Sequence, residues 1–544
     1  MSRREALATA GLLFLVALAI RVLVASTIVF PKPEDTTYYV DVARNLLEGR
    51  GLVSDALWSY QTPPLVFPRP AFEVWMPLPT FLAAVPMAVL GVSFAAAQVS
   101  SVVVGALVPV LAWRLAADVA EERRLPAGRA RTLAVGTGLT AAVFLPLLLH
   151  SALPDSTMPF AALALAACLL ASRILRDPRG ARIGDPRLIA LGAILGLTAL
   201  TRNEAAWLAL IWAAMAWFGS GATVAERLRM VGVVAVVAAV VFAPWAARNW
   251  AEFGSFLPGQ AATNALSVTG FDIFAWNDQP TLDRYLAVGP QRLLEMRLDG
   301  LGHNLFNVLL LPGFPISLFG LLALPWTARG RVVRPLVWLS VVTFLFTSLV
   351  FPVATTWGTF LHAAGPVHVL LILSALLALD GLIARLGRRM GWERPIAWLG
   401  PTLGIFASVL FSTVLLPGFG NGSVATARYY EALGQRMAEI GHPLDATAGP
   451  VISNFPIWIA ETNGIPALAL PDEPPTDVLD LARSFEGTRL LVLTDAEHTH
   501  WPDDLDAGVP GSECFAELDL GIDPGATDAT DPLAGTGVFE IACP

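Results

Sequence analysis

Two adjacent carboxylates, Glu34 and Asp35, follow directly on the first long apolar segment of the chain. Acids at the mouth of a membrane bundle are costly to desolvate and suited to taking or giving a proton. The plain alternative is an acidic first turn that favours a helix dipole. A third acid, Asp155, sits in a tight turn between two further apolar segments, where a helix N-cap would equally use it. Arg202 interrupts an apolar run, with Glu204 two residues on. A charge there costs about 2.5–3.5 kcal/mol on insertion scales. Arg202 is therefore expected either to pair with Glu204 or to hold an anion, most naturally a phosphate. Arg69, Glu73 and Arg248 are the other charges expected on the same side of the membrane. Outward carboxylates with a recessed arginine suit one reaction type. A lipid-borne phosphate leaves while a carboxylate deprotonates an incoming hydroxyl or amine. His150, His303, His362 and His368 fall near helix ends without the close spacing of a metal motif, so packing or interface roles are expected of them.

The elements that must position these residues are apolar. The chain has 544 residues, 55% hydrophobic and only 15% charged. Soluble domains carry about a quarter charged residues, so most of this chain belongs in lipid. Spanning segments need about 20 apolar residues. Eleven are expected, near residues 8–30, 95–117, 132–150, 157–173, 188–201, 204–218, 230–247, 301–325, 335–352, 360–383 and 396–416. The apolar stretch from Pro77 to Leu90 is short and carries three prolines, so it reads as re-entrant or interfacial. This choice places Arg114, Arg123, Arg124, Arg129 and Arg131 on the same side as Arg3 and Arg4. It does the same for Arg173, Arg176, Arg179, Arg182, Arg187, Arg227, Arg229, Arg329, Arg331, Arg334, Arg385, Arg388, Arg389 and Arg394. The positive-inside rule then puts the N-terminus in the cytoplasm and the C-terminus outside, in a multi-pass protein of the cell membrane.

Two domains are expected: a membrane-embedded body over 1–417, with outward loops at 31–94 and 248–300, and an extracytoplasmic domain over 418–544. The net charge of −9 is concentrated in the acidic tail, which excludes nucleic acid as a partner. Short apolar runs at 451–453 and 490–493 read as buried strands and 476–485 as an amphipathic helix, together a small α/β domain. The three cysteines are too few for a thiolate cluster. Cys514 and Cys543 are expected to pair if the tail faces an oxidising compartment. After Asp35 an amphipathic helix is expected, with Val42, Leu46 and Leu47 on its apolar face and Asp41, Arg44, Asn45 and Glu48 turned to water or headgroups. Gly192 and Gly196 form a GxxxG, the spacing of close helix packing.

The acidic pair after the first span, followed by Tyr-x-x-x-Ala-x-Asn-Leu-Leu-x-Gly-x-Gly, resembles the GT-C superfamily of polyprenyl-phosphate-sugar glycosyltransferases. The branch it resembles holds protein O-mannosyltransferases and lipid A aminoarabinose transferases. Residues 72–79, leading into the interfacial segment, are similar to the family's proline-leucine element. Leu153-Pro154-Asp155-Ser156 resembles its second acidic loop. Leu197-Thr198-Ala199-Leu200-Thr201-Arg202 and Ala243-Pro244-Trp245-Ala246-Ala247-Arg248-Asn249 resemble two later elements. The resemblance covers most of 1–417. It implies a polytopic α-helical membrane fold with a C-terminal α/β domain, Asp35 as catalytic base, Glu34 as its neighbour and Asp155 as a second active-site acid. It further implies Arg202 as a phosphate ligand, and Glu204, Arg69, Glu73, Arg248 and His362 around the substrates. His362 stands where an arginine is common in the family. The implied donor is a polyprenyl-phosphate-sugar. The acceptor is an extracytoplasmic glycan, lipid or protein, and a divalent metal is left open. A transporter or lipid flippase with an outward sensor domain is the alternative. Such a protein should carry midplane charges in broken helices and an inverted repeat, and neither is evident.

Overall fold

The computed structural model describes residues 2–177, 183–392, 396–445, 449–494, 498–523, 525–528 and 530–543. Arg179, Arg182 and Arg394 of the arginine pattern lie outside these. The residues form two compact units, drawn from interleaved stretches rather than from two halves of the chain. The first holds 1–27, 75–248 and 297–419; the second holds 28–74, 249–296 and 420–544.

The first unit is helical. Its opening helix, Arg3–Ala25, starts with a capping box in which Ser2 and Glu5 satisfy each other's backbone amides. Among the described residues six helices are long and apolar enough to cross a membrane, and a seventh span is broken. In that span Ala127–Val143 and Leu145–Ala152 meet at 60°. Shorter apolar helices occupy Leu78–Leu90, Pro186–Ala199, Ala205–Phe218, Ile316–Thr327 and Arg334–Val350. Leu78–Leu90 has 13 residues, which at 1.5 Å per residue is about 20 Å, short of a hydrocarbon core of about 30 Å. One continuous core is built mainly from Phe94–Glu122, Thr157–Arg176 and Gly365–Arg389, with Met158, Phe160, Leu370 and Leu373 at its centre. Gly192 and Gly196 behave as the GxxxG spacing predicts. A Cβ on Gly192 would lie 2.7 Å from Val237, and one on Gly196 2.6 Å from Val241 and 3.0 Å from the Ala238 carbonyl. Helix Pro186–Ala199 thus rests its backbone on helix Val224–Phe253.

The second unit is built on a six-stranded sheet. Its strand order is Ala56–Leu57, Ala467–Ala469, Val451–Ser453, Leu490–Leu493, Gly537–Ile541, Phe515–Glu517. The first four run parallel and the last two antiparallel. Helices Pro456–Asn463 and Pro475–Ser484 make the crossovers that parallel pairing demands. Both strands and the helix expected from the tail are present, the helix one residue earlier at each end. The edge strand comes from the loop after the first span. Cys514 and Cys543 are bonded, tying Phe515–Glu517 to the end of the neighbouring strand.

Candidate functional site

In the helical unit the break in the span ending at Ala152 shapes the site. Phe144 is extended, at φ −80° and ψ 123°, and Pro146 follows as an early helical residue. The short helix Leu145–Leu149 and the 3₁₀ turn His150–Ala152 then carry the chain to Asp155. Asp155 is not the N-cap, which is Ser156; from one residue earlier, one of its oxygens accepts the Thr157 amide at 2.7 Å. The other oxygen does something the sequence did not reveal. It lies 3.4 Å from His150 Nδ1 and 3.6 Å from His362 Nδ1. The two imidazole rings stand 5.7 Å apart, nearly perpendicular. His362 lies on the short helix Thr359–Ala363 and also shares a 2.8 Å hydrogen bond with the Thr157 hydroxyl. All three side chains are buried. Burial alone would raise the Asp155 carboxyl, but hydrogen bonds from His150 and His362 hold it well below the usual carboxylate range. His150 and His362, expected in packing or interface roles, are here brought together at Asp155.

Two imidazole nitrogens and one carboxylate oxygen within 4.8 Å of one another form a donor set for a divalent ion. Ligands about 2.1 Å from a tetrahedral ion sit about 3.4 Å from one another, the spacing found at Asp155. The set leaves a coordination position open, as catalytic zinc sites do. The residues present fit a metal. For His362 to be a ligand, the Thr157 hydroxyl would turn away from Nδ1.

Arg202, in the break after Pro186–Ala199, faces the same loops. Its guanidinium grips Glu204 through Nε at 3.0 Å and Nη2 at 2.6 Å. It also donates to Ser156 Oγ at 2.9 Å and to the Thr359 carbonyl at 3.0 Å. The ion pair with Glu204, the structural alternative for this arginine, is formed. Through Ser156 and Thr359 it joins the turn holding Asp155 to the helix holding His362. These bonds use four of the five guanidinium N–H groups. Arg248 lies over the Trp245 ring at 5.0 Å.

The sheet-bearing unit holds the other expected residues. Glu34 and Asp35 open helix Glu34–Leu47 behind Pro33. Glu34 accepts the Ile457 amide at 3.1 Å, at the start of Pro456–Asn463. Burial raises its acid to about 8, against the pull of the Ile457 and Trp458 amides. Asp35 accepts the Thr36 amide at 2.8 Å. The helix is not amphipathic in the expected sense, because Asp41 and Asn45 are buried. Asn45 donates to the Val53 carbonyl at 2.9 Å and accepts from Arg50 at 2.8 Å, and Arg44 pairs with Glu461. Arg50, Val53 and Glu461 cover part of the face expected to meet water, while Glu48 is exposed as expected. Burial pushes the Asp41 carboxyl well up.

Arg69 and Glu73 also differ from expectation. They form an ion pair at 3.1 Å with both side chains 1% exposed, and Arg69 donates to the Ser59 and Thr62 carbonyls. Tyr38 Oη reaches Glu73 at 3.4 Å and accepts the Phe72 amide at 2.7 Å, holding Phe72 at a φ of 72°. These charges are enclosed by the loop they shape.

The fold is that seen in membrane glycosyltransferases of the GT-C class, and the chain's long apolar helices suit a multi-pass membrane protein. The particular structures it is similar to include these two. ArnT from Cupriavidus metallidurans bound to undecaprenyl phosphate matches at a TM-score of 0.54 and 14% identity, over 98% of this chain and 99% of that one. The archaeal oligosaccharyltransferase AglB from Archaeoglobus fulgidus, in complex with an inhibitory peptide and a dolichol-phosphate, matches at 0.54 and 14%, over 90% of this chain and 69% of that one. No protein-family model matches the sequence, and no curated protein matches it.

Proposed function

We propose that this chain is an integral membrane glycosyltransferase. It moves a sugar from a polyprenyl-phosphate carrier to an extracytoplasmic glycan, lipid or protein acceptor. The observation that carries the reading is the end-to-end likeness of fold to ArnT, a protein solved with undecaprenyl phosphate bound. The arginine pattern supports a cytoplasmic N-terminus and an extracytoplasmic sheet-bearing unit.

The chemistry is a single inverting displacement. An acceptor hydroxyl or amine attacks the anomeric carbon as the bond from that carbon to the phosphate oxygen breaks. The electron pair leaves on the polyprenyl phosphate, and the acceptor's proton passes to a carboxylate. Asp35 is assigned as that base, the role the resemblance gives it, with Glu34 beside it at the start of the same helix. Asp155, His150 and His362 would hold a divalent ion, which when bound supplies positive charge against the leaving phosphate. Arg202 and Glu204 keep the loops bearing those ligands together, and Arg248 is a secondary contact for the donor.

The test is glycan mass spectrometry of the cell envelope in a strain lacking the gene, complemented with wild type, Asp35→Asn or Glu34→Gln. Wild type should restore the missing sugar, and Asp35→Asn should insert normally yet lose about 10²–10⁴ in transfer rate. Glu34→Gln should be milder. Full restoration by Asp35→Asn would remove Asp35 from the base role. Lipid-linked precursor building up on the inner leaflet would indicate a flippase instead.

A further inference from the structure

Arg21 lies within the first apolar helix, Arg3–Ala25, and is fully buried. None of its hydrogen bonds goes to a carboxylate. Nε donates to Ser151 Oγ at 2.9 Å, and Nη1 donates to the Ala142 carbonyl at 3.2 Å and the Ala17 carbonyl at 3.3 Å. Nη2 is buried with no hydrogen-bond partner among the described residues. A charge enclosed at membrane depth is costly, so its contacts identify what it supports.

Both distant contacts belong to the broken span. In an unbroken helix the Ala142 carbonyl would accept from residue 146, but Pro146 has no N–H. The neighbouring carbonyl, on Val143, accepts from Ser412 Oγ at 2.8 Å. The break therefore frees two carbonyls where no water can satisfy them, and two side chains from other helices take them up. Arg21 then reaches across the break to Ser151, the residue after His150. The fold keeps a space for this contact: a Cβ on Gly105 would sit 2.2 Å from Ser151 Oγ and 3.2 Å from Arg21 Nε. The rest of the turn is held from Phe94–Glu122. Ser101 Oγ donates to the Leu153 carbonyl at 2.6 Å, and Gln98 Nε2 donates to the Ala152 carbonyl at 2.9 Å.

We propose that Arg21 is a positioning residue: by clamping both sides of the break it sets where His150 and Asp155 stand relative to His362. The proposal rests on the reading that these three residues form the active centre. A guanidinium suits the task because its fork serves acceptors in two directions at once. The single ammonium of lysine cannot reproduce that geometry.

The experiment has two arms on the full-length protein in detergent. In the first, cysteines replace His150 and His362, and a short bifunctional thiol reagent reports their proximity, with and without Arg21→Lys or Arg21→Met. The coupled yield should fall severalfold in both Arg21 backgrounds while the melting temperature of Arg21→Lys stays at that of the parent. If Arg21→Met fails to insert, Arg21→Lys decides. In the second arm Mn²⁺ or Co²⁺ is titrated into wild type, Asp155→Asn and Arg21→Lys. Asp155→Asn should abolish binding, and Arg21→Lys should weaken it by about 10–100-fold, the usual effect of losing a group that orients a ligand. Unchanged coupling in the Arg21 variants overturns the positioning role, whatever the ion does. Absence of ion binding by wild type together with reduced coupling overturns the metal reading and supports the clamp.

Discussion

Replacing Glu73 by Gln should distinguish a charge that shapes the protein from one that meets substrate. The Arg69–Glu73 pair is 3.1 Å apart with each side chain 1% exposed. At an effective dielectric near 20 the attraction at that distance is about 5 kcal/mol. Gln preserves shape but leaves the Arg69 charge buried without its counter-ion. Breaking such a pair costs about 3–5 kcal/mol, and a further part of the cost falls on Tyr38, whose hydroxyl bridges Glu73 and the Phe72 amide. For a domain of this size about 2–4 °C accompanies each kcal/mol, so the melting temperature in detergent should fall by about 6–20 °C. Hydrogen exchange should localise the loss to the ladder pairing Val53–Ser54 with Arg69–Pro70. Removing both charges with Arg69→Leu and Glu73→Leu should recover part of the stability, because the uncompensated ion is gone. A Glu73→Gln protein that melts like wild type yet binds the lipid donor poorly would refute this account and return the pair to the substrate site.

Two further outcomes follow from the same unit. The Cys514–Cys543 bond closes a loop of 29 residues, so Cys514→Ser should cost about 3–4 kcal/mol on loop-entropy grounds. Denaturant unfolding under non-reducing conditions measures it, and an unchanged midpoint would show that the cross-link is dispensable. Glu34 is raised from 4.5 to about 8 by burial, so the folded chain keeps a proton that the unfolded chain releases. The stability it contributes is complete below its unfolded value and is lost as pH rises through 8, so melting should be lower at pH 9 than at pH 6. Glu34→Gln should flatten that dependence, and an identical slope in the variant would exclude Glu34 as its source.

What the sequence disclosed about the fold was its periodic and compositional part. Long apolar runs and four-residue strands such as Leu490–Leu493 each carry their own signal, and apolar helices and that strand lie near their expected places. Ala56–Leu57 carries none, since two residues cannot display a period. Its place at the sheet edge is decided by its pairing with Ala467–Ala469. The polar face of Glu34–Leu47 misled for a related reason. Amphipathicity reports what a helix could show to water, while Asn45 and Asp41 are covered by the loop that turns back at Gly49 and Gly51.

The candidate site divides along the same line. Asp155 and Arg202 stood out because a charge in an apolar setting is anomalous by itself, and Arg202–Glu204 was legible as a pair because they are two positions apart. His150 and His362 offered nothing comparable. His362 lies 205 positions beyond Thr157, the first residue of the helix that follows Asp155, and spacing motifs exist only where one helix or turn carries both ligands. Two local signs would have narrowed the search. Phe144-Leu145-Pro146 marks a break near the end of a span, and a broken span needs polar side chains to take its freed carbonyls. Arg21 is such a side chain, in an apolar helix with no acid near it in sequence. Read together, the proline and the stranded arginine point to the turn that follows the break, which is where His150 and Asp155 lie.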